Sequence, residues 1–510
     1  MDGIMKKIVN ILAAVAAVTG LAACDLDLYS PTSFNKGNVE TTGDNEESAS
    51  QYKSRTDMEN LRNSLYNSWV KDIQEMGLED WLVYSETRAD NAYCGTTTAS
   101  IMAIEANKQD GSNTNITRDW NWYQKQVSNA NQIICNIDRI AEEDTSLSAS
   151  ERDQWKAEAL IWRSFCFFRL TQLWGDAPMV LEIPPTITVE NVSEVYSLYY
   201  PDRTPMNDVY AQLVKDLTWA VQYAPKSNPN NKMLMSDAFA YGLLARIYAE
   251  KPIRDWGKVI EYCNTIEGMN FSLEPSYGTL WSYEEGEAGD AYRNSPESIF
   301  EVQWTSKSSG NWVFMMYHRN AYNPNDSYSW AKWQTPSRDL IEAYEKEGDT
   351  ERMNASIIWD SCSWSNYYSS DNYAFMHKVP TNVSSILVMR LAEIYLLHAE
   401  ACACTSDFEG VKTYVNKVRT RAKLSPVPAP ASVDEAIDVV LHERRLELSF
   451  EGFRFFDLAR HDRIIDVHNS MNEKDSYWQQ RKPLFESRIF LPVPTEALDA
   501  NPNMSQNAGY

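Results

Sequence analysis

Apolar residues recur every three to four positions along most of the chain, and this period predicts a mostly helical protein. It is clearest from Trp155 to Leu173, where the apolar positions form one stripe. Gly175 and Pro178 predict the end of that helix, because glycine often terminates helices and proline cannot continue them. The same period predicts helices from residue 57 onward and at residues 121–140, 208–223, 236–250, 255–266, 336–347, 385–404, 408–422 and 432–450.

The helical period is lost in the middle third of the chain. Residues 270–335 are rich in Gly, Ser, Asn and aromatic residues, which predicts loops with short strands such as Ser298–Trp304. Five prolines between residues 178 and 205 predict a long irregular connection. We therefore expect one globular unit behind a leader, with a signal peptide at 1–23, a tether at 24–55, an N-terminal helical part at 56–230 and a C-terminal part at 231–510 that contains a loop-rich insertion at 270–384.

Two helices share a short sequence pattern. The pentad Leu-Ala-Arg-Ile-Tyr at residues 244–248 matches Leu-Ala-Glu-Ile-Tyr at residues 391–395. In both, a small residue allows close approach of a partner helix and an aromatic residue fills the next groove, as in the first helix of a tetratricopeptide repeat. The pattern predicts a mostly α fold, a tetratricopeptide-like scaffold of helix pairs with long inserted loops and a few short strands.

Composition excludes several classes of protein. The 510 residues include 43% hydrophobic and 23% charged residues, which is typical of a folded globular chain. The net charge of −24 argues against a nucleic-acid partner, since binding phosphates requires a basic face. Seven cysteines besides Cys24 have no regular spacing, so they are expected to be small buried residues. No cofactor is predicted, and a structural calcium ion stays open because the chain is acidic but has no EF-hand pattern.

The N-terminus predicts the compartment. Lys6 and Lys7 precede a short apolar run, which ends in Ala22-Ala23-Cys24. A basic start, a short apolar stretch and small residues before the cleavage site describe a secretory signal, and a cysteine directly after it is the site of lipidation in bacterial lipoproteins. The mature chain is therefore expected to be anchored by lipid at Cys24.

The sequence contains none of the common catalytic motifs. The six histidines form no H-E-x-x-H pattern, and neither a Walker A loop nor G-x-S-x-G is present. Among 71 Asp and Glu residues, some pair of carboxyl groups will lie by chance at the separation that glycosidases use, so a glycosidase activity stays open on the sequence. We expect a binding protein and not an enzyme.

One block near the C-terminus carries a family resemblance. Residues 443–460 match, almost position by position, the ER-x-x-EL-x-x-EG-x-R-x-x-DL-x-R signature of the SusD/RagB family of nutrient-binding outer-membrane lipoproteins of Bacteroides-type bacteria. The ending at 491–510 is similar to the family's "P-I-P … NP … QN-x-GY", and Trp155–Pro178 is similar to its "A-x-x-x-R … WGD-x-P" segment. Physically, the block predicts a helix–Gly–helix corner in which carboxylates pair with arginines and specify the fold.

The resemblance also implies partners and a location. It implies an oligosaccharide or polysaccharide ligand, a SusC-like TonB-dependent transporter over which the protein sits as a lid, and a role in polysaccharide utilization. Asp25 and Asp27 directly follow the lipidated cysteine and resemble a signal for export to the cell surface. The expected location is therefore the outer membrane, lipid-anchored and surface-exposed.

Aromatic residues in the irregular middle third are the candidate ligand-binding groups. Flat rings offer a large contact area at low entropic cost and stack on the C–H faces of sugars, whose hydroxyls bind polar side chains. Trp304 lies in a predicted strand and is assigned to the core. For each of the other rings the alternative stays open that it packs against the helical core and fixes its loop in place. A second candidate region resembles the family's early R-x-D-N loop, which borders the binding face. The candidates are Trp281, Tyr283, Tyr292, Trp312, Trp330, Trp333 and Trp364, with Trp81, Tyr84, Arg88, Asp90, Asn91 and Tyr93 in the early loop.

Three other functions stay open on the sequence. A peptide-binding member of the same family would share the scaffold. An all-helical extracytoplasmic glycoside hydrolase would share the helices, aromatic residues and acidity, but it would release reducing ends. A scaffold that binds another protein would show no affinity for sugars.

Overall fold

The computed structural model describes residues 51–95, 98–284, 290–305, 310–319, 321, 333–363, 367–478 and 480–510. In these residues seventeen α-helices dominate, which confirms the predicted mostly α fold. The N-terminal helices are α1 (Arg55–Lys71), α2 (Asp80–Leu82), α3 (Ala99–Glu105), α4 (Thr114–Glu143), α5 (Ala149–Trp174), α6 (Val192–Tyr199), α7 (Met206–Tyr223), α8 (Asp237–Ala249) and α9 (Trp256–Glu267). The C-terminal helices are α10 (Arg338–Glu347), α11 (Thr350–Ser356), α12 (Leu391–Cys404), α13 (Phe408–Arg421), α14 (Val433–Glu447), α15 (Arg454–Arg460), α16 (Ile464–Lys474) and α17 (Thr495–Ala500).

The strands described are short and form four two-stranded antiparallel sheets. Each sheet joins segments that are distant in sequence or lie across a loop. The pairs are β1 (Ala92–Tyr93) with β5 (Thr335–Pro336), β2 (Ala177–Pro178) with β3 (Arg203–Thr204), β4 (Ser298–Val302) with β8 (Ile386–Arg390), and β6 (Ile357–Asp360) with β7 (Tyr373–Met376).

The long helices pack as successive neighbours. Helix α4 packs on α5, α5 on α7, α7 on α8, α8 on α9, α9 on α12, and α12 on both α13 and α14. The main apolar cluster runs along this stack, from Met58 in α1 to Val493 near the C-terminus. The matching pentads lie in α8 and α12, and Arg246 of one donates to Glu393 of the other at 2.6 Å. The tetratricopeptide-like arrangement is thus a stack of helix pairs.

Local sequence signals set the ends of the central helix α5. Ser148 caps its N-terminus, and the carboxylate of Glu151 accepts the Ser148 backbone N–H in a capping box. Gly175 ends the helix at a φ of +76°, a left-handed conformation that disfavours side chains, and Phe490 lies 3.2 Å from where a β-carbon would stand.

One predicted helix is wrong at its start. The prediction placed a helix at 385–404, whereas Ile386–Arg390 is strand β8 and helix α12 begins at Leu391. The run Ile-Leu-Val-Met is apolar throughout, so its period does not distinguish a buried strand from a helix. Hydrogen bonding to β4, whose paired residues lie 84 to 92 positions earlier in the chain, makes this segment a strand.

The charged block at 443–460 is buried and paired, as predicted for a fold element. Inside the block, Arg444 donates to Asp457 at 2.7 Å. Most partners, however, lie outside it. Arg454 pairs with Asp90 at 2.8 Å, Arg460 pairs with Glu400 at 2.7 Å, and the other carboxylates bind arginines of three further elements. The block therefore ties distant parts of the chain together.

Residues 1–50 lie outside the described residues, and with them the predicted signal peptide, Cys24 and most of the tether. In the part of the chain that the structure describes, no helix is both long enough and apolar enough to cross a lipid bilayer.

Removal of the Arg454 side chain should destabilise the protein. Arg454→Ala leaves Asp90 buried without one of its two arginines, and breaking such a pair costs about 3–5 kcal/mol. The matched control is Arg463→Ala, because Arg463 pairs with exposed carboxylates and should contribute less than about 1 kcal/mol. Urea unfolding measures both, and an Arg454→Ala protein as stable as wild type would contradict this role.

Candidate functional site

The predicted early loop is largely helical and lies in the interior. Residues 74–87 continue as two π-helical turns around α2, and this segment contacts helices α3 and α15. Trp81 is 3% exposed, and its indole lies between the guanidinium of Arg169 at 3.3 Å and the ring of Phe456 at 4.6 Å. Its N–H donates to the carbonyl of Gly452 at 2.8 Å. Both faces of this ring are occupied by the protein itself.

The R-x-D-N residues hold the C-terminal block. Asp90 accepts from Arg454 at 2.8 Å and lies 3.2 Å from Arg445, while Asn91 accepts from Arg445 at 2.9 Å. Arg88 donates to the carbonyl of Ile489 at 2.9 Å. Burial alone would raise the pKa of Asp90, but the two arginines outweigh it and hold that pKa well below its usual range.

The two tyrosines of this segment are also buried. The hydroxyl of Tyr84 donates to Asp119 at 2.6 Å, and the ring of Tyr93 stacks on Tyr367 at 4.4 Å. The structure therefore corrects the prediction for this region, because its side chains are 0–3% exposed and engaged within the fold. The residues concerned are Trp81, Tyr84, Arg88, Asp90, Asn91 and Tyr93.

The aromatic candidates of the middle third differ in their surroundings. Trp330 and Trp364 lie outside the described residues. Trp333 is 9% exposed and joins the main apolar cluster, and Trp304 is buried in the core as predicted. Trp312 and Tyr292 are half-buried, and the Tyr292 hydroxyl donates to Glu274 at 3.0 Å. The two remaining candidates, Trp281 and Tyr283, share a cleft.

This cleft is open to solvent and has a volume of about 500 Å³. One wall is the 3₁₀ helix Tyr277–Trp281 with the two residues that follow it, and the other is helix α11. His377, directly after β7, closes one end of the cleft. Its lining residues are Gly278, Trp281, Ser282, Tyr283, Thr350, Glu351, Asn354, Ala355 and His377. Two aromatic rings, an amide, hydroxyls and one carboxylate thus face a common space.

Buried contacts fix the aromatic wall. The hydroxyl of Tyr277 donates to the Glu447 carbonyl at 2.7 Å and anchors the 3₁₀ helix to α14. The ammonium of Lys378 lies 4.9 Å from the centre of the Trp281 ring, and Glu451 accepts from Lys378 at 2.7 Å. Tyr283 pairs with Ala291 through an isolated antiparallel bridge. The Trp281 ring is therefore held from the protein side, with 8% of the residue exposed.

The polar wall carries little charge at neutral pH. Asn354 is exposed on α11. Glu351 accepts from Ser276 at 2.8 Å, and its pairing with Lys423 lowers its pKa, so it is ionised and neutralised by its partner. Burial lowers the pKa of His377 to about 4, which leaves its imidazole uncharged above about pH 5. Such a surface suits a neutral, hydroxyl-rich ligand.

The sequence prediction missed the polar wall. Thr350, Glu351 and Asn354 lie about 70 residues from Trp281, and no motif or period connects the two segments. Within the described ranges, no group of three or more His, Cys, Asp or Glu side chains is arranged to hold a metal ion. The prediction that the cysteines are buried is confirmed for Cys94, Cys166, Cys263 and Cys402, which lie in apolar clusters. It is wrong for Cys135, which is exposed, and for Cys362 and Cys404, which are half-buried.

Two family models match this chain. One, described as "SusD family", matches residues 378–510, and one described as "Starch-binding associating with outer membrane" matches residues 44–249. A SusD-like protein of Bacteroides ovatus is 23% identical over 84% of this chain and 80% of its own length. SusD-like protein P2 of Formosa agariphila is 23% identical over 75% of this chain and 78% of its own length.

Solved structures share the fold. A SusD superfamily protein of Bacteroides vulgatus superposes with a TM-score of 0.72 at 18% identity, covering 90% of this chain and 100% of its own. A laminarin-binding SusD-like protein gives 0.71 at 20% identity, with coverage of 90% and 100%. Surface glycan-binding protein A of Bacteroides thetaiotaomicron, in complex with laminarihexaose, gives 0.70 at 18% identity, with coverage of 89% and 99%.

Replacement of Asp90 should affect stability and not ligand binding. Asp90→Asn removes a buried charge paired with two arginines, and we expect a loss of about 3 kcal/mol at pH 7. Because the folded-state pKa of Asp90 is depressed, its stabilising contribution is present above its unfolded pKa and is lost as the pH falls. The gap between wild type and variant should therefore narrow below about pH 4. Urea unfolding at pH 7 and pH 3 measures this, and an equal gap at both values would contradict it.

Proposed function

The chain belongs to the SusD/RagB family, and on that premise we propose that it binds an oligosaccharide, without cleaving it, in the cleft lined by Trp281 and Tyr283. The observation that carries the proposal is the composition of that cleft. Two aromatic rings face an exposed amide and hydroxyl groups across a space of about 500 Å³. Rings stack on the apolar faces of sugars, while amides and hydroxyls bind their hydroxyl groups.

The carboxylates of the cleft support binding over hydrolysis. Glycoside hydrolases use two carboxyl groups on either side of the scissile bond. Among the described lining residues Glu351 is the one carboxylate, and it is already paired with Lys423. Two structures with this fold are described as binding laminarin or laminarihexaose, which makes a β-glucan the first ligand to test.

The sequence and the family support a proposed location and partner. The Cys24 lipid anchors the chain to the outer membrane, with the globular part at the cell surface. The bound oligosaccharide then passes to a TonB-dependent transporter beside the anchor. The description of the model that matches residues 44–249 supports the association with the outer membrane.

Trp281→Ala should weaken glycan binding at least about tenfold, because truncating a central aromatic contact removes most of its stacking area. The measurement is isothermal titration of the chain from residue 25 with laminarihexaose, followed by a glycan panel if that sugar does not bind. Trp359→Ala is the matched control. Trp359 is 39% exposed in β6 and does not line the cleft, so its loss should change the affinity less than about twofold.

The same assay separates the alternatives. Asn354→Ala is a second variant on the opposite wall, and its exposed side chain can be removed without disturbing the core. Unchanged affinity in both Trp281→Ala and Asn354→Ala would exclude this cleft. Release of reducing ends from the sugar would indicate a hydrolase, and binding of peptides but of no glycan would indicate a peptide-binding member of the family.

A further inference from the structure

A small, partly enclosed cavity of about 40 Å³ lies behind the wall of the cleft. It is bounded by α1, the helical segment that contains α2, α5 and strand β8. Trp281 lines both this cavity and the cleft, so the indole separates the two spaces. The volume admits one or a few particles of the size of a water molecule.

Three buried N–H donors line this cavity without a hydrogen-bond partner among the described residues. They are Nε1 of Trp69, Nη1 of Arg169 and Nε1 of Trp281. These side chains are 0%, 7% and 8% exposed. Buried donors are almost always satisfied, and leaving one without an acceptor is unfavourable. Three of them at one cavity indicate an occupant that accepts hydrogen bonds.

The charge of Arg169 restricts the kind of occupant. In the described structure no carboxylate lies within ion-pair distance of this guanidinium. It makes cation–π contacts with the rings of Trp81 and Phe165. The ring of Trp81 at 3.3 Å compensates part of the charge but accepts no conventional hydrogen bond from Nη1. An isolated buried charge is unfavourable unless a counter-charge compensates it.

The nearby carboxylates are already engaged. Glu451 lines the cavity, but both of its oxygens accept from Arg390 and one also accepts from Lys378. Glu393 accepts two bonds at 2.6 Å from Arg246. Burial lowers the pKa of Arg169 to about 9, which agrees with a positive charge that lacks a paired carboxylate in the described structure.

We propose that this cavity is a binding site for one small monovalent anion of the halide class, held by the N–H groups of Trp69, Arg169 and Trp281. An anion offers acceptor capacity in every direction and supplies the missing negative charge. A water molecule accepts hydrogen bonds at two lone pairs, which is one fewer than the three orphan donors, and it would leave the Arg169 charge without a counter-charge. A larger anion such as gluconate does not fit the volume.

Bromide is the probe for this site. Crystals of the chain from residue 25, grown in sodium bromide, should show an anomalous peak in the cavity between Trp69, Arg169 and Trp281. Arg169→Met keeps the length and apolar volume of the side chain but removes its charge and donors, so the peak should disappear. Arg169→Lys restores the charge and should restore the peak.

Thermal unfolding provides the test in solution. An ion bound by the folded state stabilises it by mass action. We therefore compare the melting temperature in sodium bromide with that in sodium gluconate, and this difference should be at least about 2 °C larger for wild type than for Arg169→Met. Arg169→Lys should follow wild type. A cavity that contains only water in bromide crystals would overturn the proposal, as would equal anion responses of wild type and Arg169→Met.

Discussion

Glu447 is fully buried in the C-terminal half and binds arginines from three separate elements. Arg352 comes from α11, Arg390 from the end of β8, and Arg421 from the end of α13. Burial would raise the pKa of Glu447, but these guanidinium groups outweigh it and keep the carboxylate ionised. Such a group is stable only when all its partners are in place, since removing one leaves a buried charge uncompensated. The positions of α11, β8 and α14 therefore depend on one another.

The candidate site depends on this network. Arg352 also pairs with Glu443 and holds α11, whose outer face carries Glu351 and Asn354. On the opposite wall, Tyr277 binds the Glu447 carbonyl and Lys378 connects Glu451 to the Trp281 ring. Both walls of the cleft thus attach to the same buried charges. Rigid placement of aromatic rings lowers the entropic cost of binding, which is a physical reason for a binding protein to keep such a network.

Most of the fold could be predicted from the sequence, because helices of this kind have a strong apolar period and the block at 443–460 is specific. Strand β8 was missed because its pairing with β4 depends on a partner 84 to 92 residues away. The early segment was misassigned for a different reason. Asp90 and Asn91 look like ligand-binding polar groups, and their pairing with Arg445 and Arg454 is visible only once the chain is folded.

The site itself was predicted in part. Aromatic composition pointed to Trp281 and Tyr283 but equally to Trp333, which packs in the main apolar cluster and does not line the cleft. Composition does not report the direction of a side chain. A crystal structure of the chain with its tightest-binding oligosaccharide would locate the sugar. We expect a sugar ring stacked on Trp281 with its hydroxyls near Asn354 and Glu351. Sugar density bound elsewhere, with this cleft occupied by solvent, would contradict this expectation.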